Sequence, residues 1–236
     1  LKKVAVVIPI YKEILSDSEE KSLIQVKKIL GSYNFIFFGP NNLKLNNYKK
    51  ILPDFEWLGF DNNYFNSVDG YSALMLSPTF YKKFFSYEYI LIYQLDAWVF
   101  KNDLETWCNK GYDYIGAPWI SKPPLTKGKP KFDLSPYFVN RVGNGGFSLR
   151  KVKSHYRNCL IFRPLLKKFV KNEDMFWGLL LYFLNPFFRR PKAKEALNFA
   201  FEMEPRKAYK MTNHKLPFGV HAWEKYDAEF WKEWIK

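Results

Sequence analysis

Short apolar runs separated by polar or helix-forming stretches dominate the first hundred residues. The runs are VAVVIPI (4–10), NFIFFGP (34–40), FEWLGF (55–60) and YEYILIYQLDAWVF (87–100). Each reads as a strand, the first buried and stopped by Pro9. Between the first two, Asp17 to Leu30 carries Leu23, Ile24, Val26, Ile29 and Leu30 as an apolar stripe, with Gly31 where a helix C-terminal cap belongs. A second helix is predicted over Gly70 to Phe85. Strands separated by helices imply an α/β fold with a mostly parallel central sheet flanked by helices. Ligands of such sheets bind beyond the carboxyl ends of the strands. A chain of 236 residues, 47% hydrophobic, has enough material for one large core, so one domain is expected over 1–236.

The fourth run closes on Asp96, a single carboxylate with apolar residues straight after it. A buried carboxylate without a partner is costly, so Asp96 requires a metal, a cluster of donors or water at the sheet edge. Strand alternation would put Gln94 and Asp96 on one face, where two oxygen ligands suit Mg²⁺ or Mn²⁺ and the phosphates it carries. A carboxylate capping the next turn is the plain structural alternative.

The second half is less regular. Residues 113–119 (DYIGAPW) read as a short strand into a turn, and Lys122 to Pro136 as a long, proline-rich loop. Residues 1–118 hold 13 lysines against 13 acids, whereas residues 119–236 hold 24 basic residues against 10 acids and so carry the whole net charge of +14. That asymmetry points to an anionic partner for the second half: nucleic acid, or an anionic membrane surface met by Arg189, Arg190, Lys192 and Lys194 beside Phe183, Phe187 and Phe188. A solvated basic face is the bland alternative. Met175 to Phe188, the longest apolar stretch, is too short to span a bilayer. No secretory leader is recognised, and Cys108 and Cys159 show no metal-ligand spacing, so a cytoplasmic location is expected.

Three further stretches have residues suited to chemistry. Gly143-Asn144-Gly145-Gly146-Phe147 lets backbone approach a ligand, or is an ordinary hairpin turn. Asn172-Glu173-Asp174 offers two carboxylates as a general base in a basic region, or a capped helix start. His221, in PFGVHAW, is a candidate ligand for a borderline metal, or a hydrogen-bonded structural imidazole.

In their order along the chain, these parts resemble the nucleotide-sugar-dependent glycosyltransferases of the GT-A fold, in a branch that looks uncharacterised and bacterial. Val6 to Lys12 resembles the family's first strand and nucleotide-contacting loop, and Gln94-Leu95-Asp96 stands where the family has Asp-x-Asp. Gly143 to Gly146 resembles its glycine loop, Glu173-Asp174 its acidic pair near the acceptor, and His221 its C-terminal metal-binding histidine. The resemblance implies a GT-A-like domain with a nucleotide-binding half (1–118) and a basic acceptor-side half (119–236). It implies donor contacts from Pro9, Tyr11, Tyr71, Gln94, Asp96, Gly145 and Gly146, and a divalent metal, Mn²⁺ or Mg²⁺, on Asp96 and His221. Catalytic work falls to Asp174 with Glu173 beside it, and the acceptor side to Trp119 and Trp177. The implied partners are a nucleotide-sugar donor and a glycan or lipid-linked acceptor, in surface-glycan synthesis at the inner face of the membrane, with no nucleic acid. Gln94 departs from the pattern: it replaces the first acid and removes one carboxylate ligand. A catalytically silent sugar-binding module and a basic nucleic-acid-binding protein are the alternatives. Asp96 and His221 are expected to converge on one cleft.

Overall fold

The computed structural model describes residues 1–122, 135–169 and 172–236. Four apolar runs become β1 (Lys2–Pro9), β2 (Asn34–Pro40), β3 (Glu56–Phe60) and β4 (Tyr87–Tyr93). They are followed by the two-residue strands β5 (Trp98–Val99), β6 (Tyr114–Ile115), β7 (Pro118–Trp119) and β8 (Arg141–Val142), then β9 (Phe147–Lys151), β10 (Ala200–Phe201) and β11 (Gly219–Val220). The main sheet has the order β3-β2-β1-β4-β9-β6. Its first four strands are parallel, while β9 runs antiparallel to both β4 and β6. β1 lies between β2 and β4 and is buried from Val4 to Pro9, as its unbroken apolar sequence requires. Because β9 belongs to the basic half, the division at residue 118 is one of charge: both halves build the same sheet.

The helix Asp17–Leu30 starts at a reciprocal cap, in which Ser16 Oγ accepts from the Glu19 amide and Glu19 Oε2 accepts from the Ser16 amide. It buries Leu23, Val26 and Leu30 on the sheet, while Ile24 of the predicted stripe faces outward. Its polar residues steer the chain that leaves β4. Ser22 Oγ donates to the Ala97 carbonyl (2.6 Å) and Gln25 Nε2 donates to the Val99 carbonyl (2.8 Å).

Several boundaries differ from expectation for local reasons. The single helix predicted over Gly70 to Phe85 is two, Val68–Met75 and Pro78–Lys82. Ser77 caps the second and Pro78, which has no amide hydrogen to continue the first, begins it. β4 ends at Tyr93, so Gln94 and Asp96 lie in a turn closed by the Ala97 amide on the Gln94 carbonyl (2.9 Å). The predicted loop from Lys122 to Pro136 falls mostly outside the described residues, and its last residues enter the short helix Ser135–Phe138. The apolar stretch after Asn172 is broken into Glu173–Met175, a π-turn at Phe176–Leu180 and Leu181–Leu184. Among the described residues, no helix is long and apolar enough to cross a membrane.

A second sheet, β10-β11-β5, is small but fixes the site. β5 follows the Gln94–Asp96 turn directly, and β11 runs into His221. Antiparallel pairing of Trp98 with Val220 therefore brings that turn and that histidine together, over a core of Trp98, Leu197, Phe201, Val220 and Trp231.

Candidate active site

Gln94, Asp96 and His221 meet at one point. His221 Nε2 lies 3.1 Å from Gln94 Oε1 and 3.2 Å from Asp96 Oδ1. Its Nδ1 lies 3.2 Å from Glu202 Oε1. The imidazole is nearly buried, whereas the Asp96 carboxylate is half-exposed. Burial opposes a charge on this ring, but Asp96 and then Glu202 outweigh it and raise its pKa to about 10. Burial pulls the Asp96 carboxyl upward, and His221 pulls harder, leaving it below its ordinary value. In this form the imidazolium supplies the positive charge that the oxygens around it demand.

The glycine loop closes over the histidine. The Gln94 amide donates to the Gly146 carbonyl (2.8 Å), so β4 and β9 stay in register past the end of β4. A Cβ at Gly146 would sit 2.0 Å from His221 Nε2 and 2.6 Å from Gln94 Oε1, so only glycine fits at this approach. Asn144 ties the loop down. Its Oδ1 accepts from the amides of Gly146 (3.1 Å) and Phe147 (3.2 Å), and its Nδ2 donates to Glu202 Oε1 (2.7 Å).

Behind the loop the two adjacent acids have different surroundings. Glu173 is gripped at both oxygens by the fully buried Arg150, at 2.7 and 3.0 Å. Arg150 also donates to Ser148 Oγ, Tyr81 Oη and the Gly145 carbonyl, which satisfies the fork. Asp174 has no such grip: its Oδ1 is buried without a hydrogen-bond partner, and a Cβ at Gly145 would lie 2.5 Å from it. Burial, with Glu173 and Glu202 nearby, pushes the Asp174 carboxyl well above its ordinary value despite Arg150 and His221. Such a carboxyl binds a proton far more tightly than an ordinary aspartate.

The other predicted residues lie at several depths. Pro9 ends β1 in the core, and Tyr11 just beyond it is exposed, at the same carboxyl edge as the end of β4. Tyr71 stacks on Phe38 with its hydroxyl buried, unpartnered and near Gln94. Trp119 and Trp177 are both buried and form the wall from behind. The Trp119 ring fills the space that a Cβ on Gly143 or Gly178 would take, and Trp177 stacks on Phe188. Of the predicted surface group, Phe187 and Phe183 are exposed, Phe188 is buried, and the Arg190 guanidinium is bound to the Trp177 carbonyl (2.6 Å).

Sequence reasoning missed Glu202, Asn144 as an anchor, and Lys225. Glu202 had a readable signal, since it ends a buried strand as Asp96 was expected to do. Lys225 is brought back toward Asp96 and Glu202 by a turn in which Ala222 takes a left-handed conformation (φ 50°). Its amide and that of Tyr226 both donate to the Ala222 carbonyl.

With a parallel sheet finished by an antiparallel strand, an acid-bearing turn after the fourth strand and a histidine closing on it, the molecule has the fold of the GT-A-type glycosyltransferases. It superimposes on mouse xyloside xylosyltransferase 1 with a TM-score of 0.56 at 12% identity, over 93% of this chain and 97% of that one. Against the glycosyltransferase GlyE of Streptococcus pneumoniae the TM-score is 0.54 at 12% identity, over 94% of this chain and 55% of GlyE. An active-site mutant of LgtC gives 0.52 at 14% identity, over 92% and 86%. At these identities the likeness is one of fold. The chain belongs to the family described as protein of unknown function (DUF5672), which matches residues 54–221. No curated protein matches it.

Proposed function

We propose that the protein transfers a glycosyl group from a nucleotide-sugar donor to an acceptor hydroxyl. The observation that carries this reading is the convergence of Gln94 and Asp96 with His221, 127 residues beyond Gln94, at the carboxyl edge of a GT-A sheet, with the unpaired Asp174 carboxyl behind the adjoining glycine loop. Tyr11 is exposed and free to meet the base or ribose, and Gln94 offers its amide to the donor. Gly145 and Gly146 let the loop backbone approach it closely.

In the reaction the anomeric carbon–phosphate oxygen bond breaks and a bond from the acceptor oxygen to that carbon forms. Once Asp174 has released to solvent the proton that its buried site favours, its carboxylate takes the acceptor proton, and negative charge grows on the departing diphosphate. Lys225, which feels the charges of Glu202 and Asp96 and leans on the Tyr226 ring, is a side-chain cation available to meet that charge. Glu173 neutralises Arg150, which in turn holds the glycine loop through the Gly145 carbonyl (3.1 Å).

Asp96 Oδ1, Gln94 Oε1 and His221 Nε2 crowd one point with two hard oxygens and one imidazole, a donor set that fits Mn²⁺ or Mg²⁺ once His221 loses its proton. Among the described residues, no group of three or more His, Cys, Asp and Glu side chains is arranged to hold a metal alone, so donor phosphates and water would complete the shell. A bound divalent ion would add charge stabilisation for the leaving diphosphate.

Surface-glycan synthesis is the setting we propose, with a glycan or lipid-linked acceptor. Phe183 and Phe187 are exposed in the stretch that runs into Arg189 and Arg190, and favour contact with an anionic membrane surface. The test of the donor reading is a panel of nucleotide sugars scored for thermal stabilisation with and without Mn²⁺. One donor should raise the melting temperature, more so with metal, and a panel with no shift at saturating donor would overturn the reading.

A further inference from the structure

The acceptor-side half holds a cavity of about 800 Å³ that the reaction described above does not use. Its charged lining is Arg141, Arg189, Arg190, Lys192 and Lys194, and no carboxylate lines it among the described residues. The nearest acids are engaged elsewhere: Asp113 accepts from the Arg189 amide (2.7 Å), and Glu195 is held by Lys110 (3.0 Å) and Tyr112 (2.7 Å).

Two guanidinium groups are held together on one ring. Arg141 stacks 3.5 Å above the Tyr182 centroid, and Arg190 lies 5.3 Å from the same centroid. Burial, and then Arg141, bring Arg190 down to about 10, so this like-charge contact is felt. Like charges held together in a partly buried space, with no acid between them, gain most from an anion that both can bind. Five cations exceed what one carboxylate needs and match a group carrying two or more negative charges.

The cavity also adjoins the glycine loop. Arg141 and Val142 form β8, which continues straight into Gly143, and the Cβ position of Gly178 is 2.8 Å from the Gly143 Cα. Arg141 stands four positions before Gly145, a span of at most about 14 Å between their Cα atoms, so the cavity and the loop over Asp174 lie on one continuous stretch of chain.

We propose that this cavity binds the phosphate group of a phosphorylated acceptor, an assignment of substrate class that rests on the glycosyl-transfer reading above. The guanidinium pair, held against the Tyr182 ring, binds the phosphate oxygens, and the open side of the cavity leaves room for the attached sugar.

Titration calorimetry with pyrophosphate tests it, in EDTA and at matched ionic strength. The variants are Arg141→Gln and Lys192→Gln/Lys194→Gln. Arg190 is left intact because it anchors the Trp177 carbonyl. Wild type should bind one pyrophosphate saturably, each cavity variant should lose roughly tenfold or more in affinity, and Lys225→Gln should bind as wild type does. No saturable binding, binding by both cavity variants equal to wild type, or loss only in Lys225→Gln overturns the proposal. The last of these would put the anion in the donor site.

Nucleotide-sugar stabilisation with Mn²⁺, measured on the same variants, keeps the two readings separate, because the cavity variants should retain it. Pyrophosphate binding without any donor response would remove the transfer reading and leave the anion site. Co-sedimentation with phosphatidic acid vesicles, compared with phosphatidylcholine alone, identifies the source. Binding that the cavity variants lose assigns the phosphate to a lipid-linked acceptor. Absence of co-sedimentation with pyrophosphate binding kept assigns it to a soluble one.

Discussion

Replacing Glu173 with glutamine should cost stability first and activity only as a consequence. The wild-type carboxylate accepts two charge-assisted hydrogen bonds from Arg150, at 2.7 and 3.0 Å, and Arg150 is wholly buried. Glutamine retains one acceptor and turns an NH₂ group toward a guanidinium nitrogen, so one bond is lost and the buried charge has no counterion. Bonds of this kind contribute about 1.5–3 kcal/mol each. Breaking a buried pair by removing one partner costs about 3–5 kcal/mol. For a chain of this length each kcal/mol lowers Tm by about 2–4 °C, which predicts a fall of roughly 6–20 °C for Glu173→Gln. Urea unfolding followed by tryptophan fluorescence measures it directly. The double variant Arg150→Met/Glu173→Leu should recover most of the loss, because an apolar pair removes both charges together. A Glu173→Gln protein within about 1 kcal/mol of wild type would refute the assignment of Glu173 to holding Arg150.

Asp174→Asn should abolish transfer while donor binding and fold persist. The carboxyl is raised by burial, so ionising it opposes folding, and stability falls as pH climbs from about 3.9 toward its folded value in wild type but not in the variant. Gly146→Ala should lose metal and donor binding together in calorimetry, because its Cβ would lie 2.0 Å from His221 Nε2. Gln94→Asp should tighten Mn²⁺ by supplying a second carboxylate beside Asp96, read by the same titration. In metal-free protein the stabilisation from charged His221 is complete below its unfolded pKa of about 6.5. It is lost as pH rises through about 10, and Asp96→Asn should flatten that part of the curve.

The strands of the main sheet were legible as apolar runs: β1 and β2 are buried over most of their length, whereas β3 at the sheet edge is only partly buried. The break at Ser77-Pro78 was legible too, and was passed over because the apolar residues on either side read as one helix. Gln94 and Asp96 were assigned to one face by strand alternation, but they reach His221 from a turn. What places them is the pairing of Trp98 with Val220, between two-residue strands too short to leave any periodicity. The adjacent acids Glu173 and Asp174 looked equivalent in the sequence. Only the partner that folding brings from β9, Arg150, separates a held carboxylate from a free one. The basic excess of the second half was plain, but its gathering into a cavity around Arg141 and Arg190 depends on β8 and the segment after Pro186 meeting in space.

The most direct test of the central claim is release of nucleoside diphosphate from the stabilising nucleotide sugar, measured on wild type and on Asp96→Ala and His221→Ala. Turnover by wild type, with losses of at least about a hundredfold in both variants at unchanged folding, is the result the convergent site predicts. Turnover that survives both substitutions would contradict it, as would a folded wild type that binds the donor and never releases the diphosphate.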